Sequence, residues 1–172
     1  MRTILAAAFT LAFAAAPVAA AENFRSALEA KGNYATFLKA LEASDAGWFL
    51  EEDEAYTAFV PTDAAFDALP DGVLDALLRE ENRPKLNAIL EHHVLPDVQV
   101  TAADLSDGRS LDVAGGEPLE VSIEGSAVTV DKASVTEPDI DTDAGIVHGI
   151  DAVLVPEIVV EAMKFTGDYP TN

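Results

Sequence analysis

The 172-residue chain is 49% hydrophobic, 24% charged and 7% aromatic, with ten glycines, nine prolines and no cysteine, which excludes disordered, collagen-like and disulfide-stapled classes. Its 31 acidic and 10 basic residues give a net charge of −21, and the densest basic group is only Arg79, Arg83 and Lys85. A polyanion needs a continuous basic stripe, so nucleic acid is excluded as a partner and an anionic lipid surface is disfavoured.

In chain order, Met1-Arg2-Thr3 is a short basic start, and Ile4 to Ala16 is an apolar or small run broken only by Thr10. Pro17 ends the run and Ala19-Ala20-Ala21 is a small-x-small cleavage pattern, so residues 1–21 read as a signal peptide, with Ala20 as the alternative cleavage site. A short leader with one arginine suggests a bacterial source. Cleavage removes one arginine and no acid, which takes the charge from −21 to −22. Beyond the leader no apolar run reaches the ~18 residues of a membrane span. No cysteine follows it for a lipid anchor, and the expected location is secreted or periplasmic.

Phe24 to Lys31 reads as a short helix, broken at Gly32-Asn33, and Tyr34, Phe37, Leu38 and Leu41 then recur at the spacing of one helical face. Glu51 to Glu54 reads as a solvated loop, because adjacent carboxylates repel. Tyr56 to Val60 is a strand ended by Pro61. Thr62 then caps a helix from Asp63 to Ala68, with Asp63 at its positive end. Asp71 is expected to cap the next helix (Val73, Leu74, Leu77, Leu78), and Asn82 a third, in which Leu86, Ile89, Leu90 and His93 share the buried face. His92 points away from that face.

After Pro96 the apolar period drops from 3.6 to 2. Leu119 to Glu124 and Val128 to Val130 form a hairpin about Gly125-Ser126. Further strands are expected at Ser110 to Val113, Ala133 to Thr136, Ile146 to His148 and Ala152 to Val155, followed by a helical piece from Ile158 to Phe165 and a loose tail. Segregated helices and strands define an α+β class.

The motifs point to a family. Tyr56-Thr57-Ala58-Phe59-Val60-Pro61-Thr62-Asp63-Ala64-Ala65-Phe66 resembles the first signature of the fasciclin-like domain, T-V-F-A-P-T-(D/N)-x-A-F. Gly145-Ile146-Val147-His148-Gly149-Ile150-Asp151-Ala152-Val153-Leu154-Val155-Pro156 resembles its second, N-G-V-I-H-x-I-D-x-V-L-x-P. Ile89-Leu90-Glu91-His92-His93-Val94 resembles the L-x-Y-H-V segment between them. The resemblance covers roughly residues 33 to 157. It departs at His92, where the family has tyrosine, and at Ala144, where it has asparagine. It implies a fasciclin-like domain over 22–157, with a helical N-terminal half packed on a wedge-shaped, β-sandwich-like sheet region, and residues 158–172 following as the helical piece and tail. It also implies extracellular adhesion to a cell-surface or matrix protein or glycan, without catalysis. The Tyr-His segment is linked to cell-surface binding in animal relatives, a link that His92 in place of tyrosine weakens here; the expected contact surface, His92, Val94 and Asp97, is the exposed side of the passage from helix to strand, where backbone polar groups are least well covered.

Thr57, Pro61, Thr62, Asp63, Phe66, His93, Gly145, His148 and Asp151 are read as structural motif positions. His148 with Asp151 has the residue types of a base and its orienter, but a role in satisfying buried backbone groups fits that apolar run better. His92, His93 and His148 match a zinc hydrolase in number, yet adjacent histidines on a helix diverge. Asp139, Asp141 and Asp143 alternate like a calcium loop, but Gly145 comes one place late and Ile150 stands where a bidentate glutamate belongs. Weak calcium binding through these residues and Glu51 to Glu54 is the alternative reading, and the zinc hydrolase a lesser one. No nucleophile elbow, P-loop or H-E-x-x-H pattern occurs, and no cofactor is expected.

Overall fold

A computed structural model describes residues 23–47 and 55–170. The leader and the Glu51 to Glu54 run therefore lie outside the described residues. Phe24–Lys31 forms α1, capped by the Asn23 side chain and closed by Gly32 at φ 78°, and Ala35–Glu42 forms α2. Strand β1 (Tyr56–Pro61) leads into α3 (Asp63–Asp67), α4 (Val73–Leu77) and α5 (Arg83–His92). Six strands follow: β2 (Val94–Pro96), β3 (Ser110–Leu111), β4 (Leu119–Glu124), β5 (Ala127–Val130), β6 (Ala133–Asp141) and β7 (Gly145–Ile150). Helix α6 (Glu157–Thr166) follows β7.

The seven strands make one sheet in the order β2-β1-β7-β6-β5-β4-β3. All neighbours are antiparallel except β1 and β7, which run parallel from Tyr56 opposite Gly145 to Pro61 opposite Ile150. Two register shifts in β6 bend the sheet, so that its first residues pair with β5 and the remainder with β7. The far edges then approach each other: beyond β3, Ala114 N–H donates to Val94 O (2.8 Å) and Gly115 N–H to Glu91 O (3.2 Å). The α+β class stands, with a mixed and nearly closed sheet.

Both faces of the central β1–β7 pair are buried. Tyr56, Ala58, Val60 and Val147 pack against α1, α2, α4 and α5, whereas Phe59 and Ile150 pack with Leu95, Leu119, Val121 and Val130. Continuous burial explains why neither strand shows the apolar-polar alternation of the β4–β5 hairpin.

Several local expectations are corrected. Gly72, at φ 82°, precedes α4 without a side-chain cap, so Asp71 does not serve there. Asn82 does precede α5, but its buried side chain turns inward: Nδ2 donates to Ala76 O (2.8 Å) and Oδ1 accepts from Lys85 Nζ (2.9 Å). Residues 152–155 have no strand partner among the described residues, and one of their amides, Leu154 N–H, is taken by His93 Nε2 at 3.0 Å. The helical piece expected after Pro156 is α6, whose Val159 and Met163 are buried in the helix-side core, and the tail after it is tied down at Asp168 rather than loose. Asp168 holds the residues beyond it, with one carboxylate oxygen 3.2 Å from Arg79 Nη1 and the other 3.6 Å from Lys85 Nζ. Hydrogen bonds from Thr166 and Asn82 help hold its carboxyl below the usual range.

Candidate functional site

The motif residues converge on the central strands, and most are occupied there by the backbone. Thr57 is fully buried, and its Oγ1 donates to Val98 O (2.8 Å) while accepting from Val100 N–H (2.8 Å), which pins the segment after β2 against β1. Pro61 closes β1, Thr62 Oγ1 accepts from Ala65 N–H, and Phe66 is in the core. Asp63 reaches beyond its own helix: its Oδ1 accepts from Thr36 N–H at 2.7 Å and so caps α2, which has no side-chain cap of its own. Gly145 is required because a Cβ there would overlap the Tyr56 ring, and Gly149 because one would overlap the Tyr34 hydroxyl. Burial, with the Glu137 carboxylate nearby, pushes that hydroxyl up to about 12.

The three histidines do not meet. His93 donates from Nδ1 to Ile89 O (2.7 Å) and accepts at Nε2 from Leu154 N–H. Its complete burial lowers its pKa to about 4 and keeps the ring neutral. His148 donates from Nε2 to Val100 O (2.8 Å), accepts at Nδ1 from Asp139 N–H (3.3 Å) and stacks on Phe59 at a centroid distance of 5.3 Å. Burial lowers its pKa as well. Asp151 faces a different partner, accepting from Ser134 N–H at 2.7 Å. With both ring nitrogens of His93 and His148 committed to backbone, these rings have no lone pair free for a metal or a proton transfer, which corrects the zinc reading, and His148 and Asp151 each meet backbone groups as read from the sequence. Asp139 and Asp141 lie in β6, and Asp139 Oδ1 accepts from Ala102 N–H (2.7 Å), so two of the three alternating acids are part of a strand rather than a calcium loop, and Asp143 lies in the bend that follows it.

His92 also departs from expectation. It is 5% exposed, covered by the segment after β3, and its Nδ1 donates to Gly115 O at 2.9 Å. Val94 is fully buried, and of the expected contact surface only Asp97 is exposed, at φ 61°. The surface read at His92 and Val94 is therefore corrected, because the Ala114 to Gly116 segment folds over the end of α5. A Cβ on Gly116, at φ 95°, would stand 2.8 Å from His92 Nδ1.

The profile of the Fasciclin domain family matches residues 32–156. The chain belongs to the fasciclin domain family. Protein sll1483 of Synechocystis sp. is 39% identical over 129 residues, covering 74% of this chain and 71% of that protein. Human periostin is 29% identical over 146 residues, 84% of this chain but 17% of periostin. Rabbit transforming growth factor-beta-induced protein ig-h3 is 40% identical over 107 residues, 62% of this chain and 15% of its own length. This fasciclin domain thus spans a small part of those animal relatives. A solved FAS1 domain pair from the insect cell adhesion molecule Fasciclin I has the same fold, with a TM-score of 0.69 at 23% identity over 81% of this chain and 52% of that one. The family is one of extracellular and adhesion proteins, and it is generally non-enzymatic.

Against this background the motif residues of the fasciclin domain described above are held by core packing and backbone bonds, and accessible chemistry lies elsewhere. A groove of about 910 Å³ runs between the start of α6 and the β3–β4 side of the sheet, with His92 and Gly116 among its lining residues. The paired glycines Gly115-Gly116 were a legible sign of close backbone approach, but nothing in the sequence showed that α5 was what they approached.

Proposed function

We propose that this chain is an extracellular adhesion or interaction module, exported by its leader and binding a cell-surface or matrix protein or glycan. The observation that carries the reading is the full fasciclin domain, matched over residues 32–156 and shared in fold with a cell adhesion molecule. The signal peptide read from residues 1–21 agrees with it. So does the occupation of both ring nitrogens of the two fully buried histidines, which leaves the motif residues a framework role. Labelled mature chain, residues 22–172, incubated with intact cells and matrix of the source organism is expected to bind saturably and to be displaced by unlabelled chain. Binding that never saturates, or that an unrelated acidic protein competes equally, overturns the reading.

A further inference from the structure

The fasciclin match ends at residue 156, and α6 begins at Glu157. The helix is therefore an addition to the family's frame, joined to it through Val155 and Pro156, with Pro156 extended (φ −57°, ψ 140°) and no side-chain cap at the helix start. Its seat is narrow. Among the described residues Val159 and Met163 are its buried side chains, whereas α5, of the same ten-residue length, buries Leu86, Ile89, Leu90 and His92. Two more of its large apolar side chains, Ile158 and Phe165, are 76% and 94% exposed and add nothing to the seat. So short a helix is marginal in water by itself, and α6 depends on what else holds it.

That hold is polar and lies past the helix end. The Asp168 N–H closes the last turn by donating to Met163 O (2.8 Å), and the Asp168 carboxylate meets four side chains. Oδ1 lies 3.2 Å from Arg79 Nη1, while Oδ2 accepts from Thr166 Oγ1 (2.7 Å) and Asn82 Nδ2 (3.4 Å) and lies 3.6 Å from Lys85 Nζ. Lys85 Nζ also donates to Thr166 Oγ1 at 3.1 Å, so α5 grips both the end of α6 and the turn after it. Arg79 and Lys85, two of the three residues in the densest basic group of the sequence, are thus engaged by one carboxylate. The Arg79 side chain is 53% exposed, and pairs open to solvent weaken as salt rises.

We propose that α6 and residues 167–170 form a lid, clasped by Asp168, that opens as one unit about Val155 and Pro156 while the fasciclin domain stays folded. Opening uncovers the part of the helix-side core that Val159 and Met163 seal, and frees Arg79 and Lys85 beside it. It also removes one side of the groove of about 910 Å³: Ile158, Val160 and Tyr169 leave with the lid, and Glu117, Glu120 and Asp131 remain as the acidic wall. The groove therefore exists only while the lid is closed. Opening exchanges an acidic groove for an apolar seat with a cationic rim, so the two states offer opposite charge to a partner.

Native-state hydrogen exchange in the ¹⁵N-labelled mature chain tests this amide by amide. Residues 161–168 are expected to exchange through one common opening, about tenfold or more faster than β1 and β7 relative to intrinsic rates, and with little dependence on dilute urea. Asp168→Asn, which keeps the side chain's shape and removes its charge, should speed residues 161–168 about threefold, with β1 and β7 rising by no more than that factor. Raising salt from about 50 mM to about 0.5 M should act in the same direction on the parent chain and little on the variant. Ile150→Val, a mild change in the strand-side core, should speed β1 and β7 about threefold and leave residues 161–168 unchanged. A common rate for α6, β1 and β7, or an α6 response to Ile150→Val equal to theirs, makes the helix part of one cooperative unit and overturns the proposal. Rates in α6 that neither Asp168→Asn nor salt alters overturn it as well, because the clasp would then hold nothing.

Discussion

The two faces of the β1–β7 pair are packed by different means. On the helix side rings meet rings: Phe24 lies 6.2 Å from Phe37 and 6.0 Å from Tyr56, with Phe37 edge-on to His93 at 6.5 Å. On the other side the core is aliphatic, among the described residues, except for Phe59, whose ring contact there is His148. That face is ordered by short polar side chains instead. Aspartates 107, 131, 139 and 151 each accept a backbone N–H from another segment, and Thr57 ties down Val98 and Val100. Helices satisfy all but their terminal backbone groups, as the caps from Asn23 and Asp63 show, whereas bent strands and the loops between them leave amides along their length that a side chain must meet. Part of the acid excess is thus a set of latches on the strand half.

The largest effects should come from the rings. Phe37→Ala and Phe59→Ala are each expected to cost about 3–5 kcal/mol, read from urea unfolding. If the two faces form one cooperative unit, both variants keep a single transition in near- and far-UV dichroism; separate transitions would make them independent layers.

The histidines should show as a pH dependence. The folded pKa of His93 is about 4 against an ordinary 6.5, so between those values the unfolded chain binds the additional proton. Stability present above pH 6.5 should therefore fall as pH drops toward 4, by on the order of 3 kcal/mol, with His148 acting in the same direction. Urea midpoints across pH 4 to 7 measure this, and His93→Gln should flatten the slope even where it lowers stability overall. An unchanged slope would place the acid sensitivity elsewhere.

Smaller effects sharpen the contrast in polar ordering. Thr57→Val keeps the shape but strands the Val100 amide, at an expected cost of about 1–3 kcal/mol, with faster hydrogen exchange in residues 98–100 as its local signature. Thr62→Ala removes one cap on the helix side and should cost about 1 kcal/mol, with exchange faster only at the start of α3. Were Thr62→Ala the costlier of the two, the division between a self-sufficient helical face and a latched strand face would fail.

Much of the frame was legible in the sequence because its signals are local. The β4–β5 hairpin announces itself by alternation about Gly125-Ser126, and α1 and α2 by their spacing on either side of Gly32. What escaped depends on contacts between distant segments. Val94-Leu95-Pro96 continues the apolar run of α5 and becomes a strand only because β1 is there to pair with it. Residues 152–155 have a strand's composition but pair with no strand among the described residues, and Leu154 gives its amide to His93. Asn82 has the composition of a cap and turns inward to Ala76 O. Of the candidate site, His92 was singled out as a departure from the family pattern, but the covering glycines and the acidic wall arrive from 23 or more residues away, and no local period encodes them.

The parallel pairing of β1 with β7 also governs how the chain reaches its fold. Tyr56 meets Gly145 only when nearly the whole domain is available. Such distant pairings make the loop-closure entropy large before any contact repays it, so refolding in milliseconds to seconds is expected rather than the microseconds of a small helical bundle. A ribosome-bound chain truncated before residue 145 would lack one side of its central strand pair, and would stay open to proteases until the last sixth of the sequence emerged.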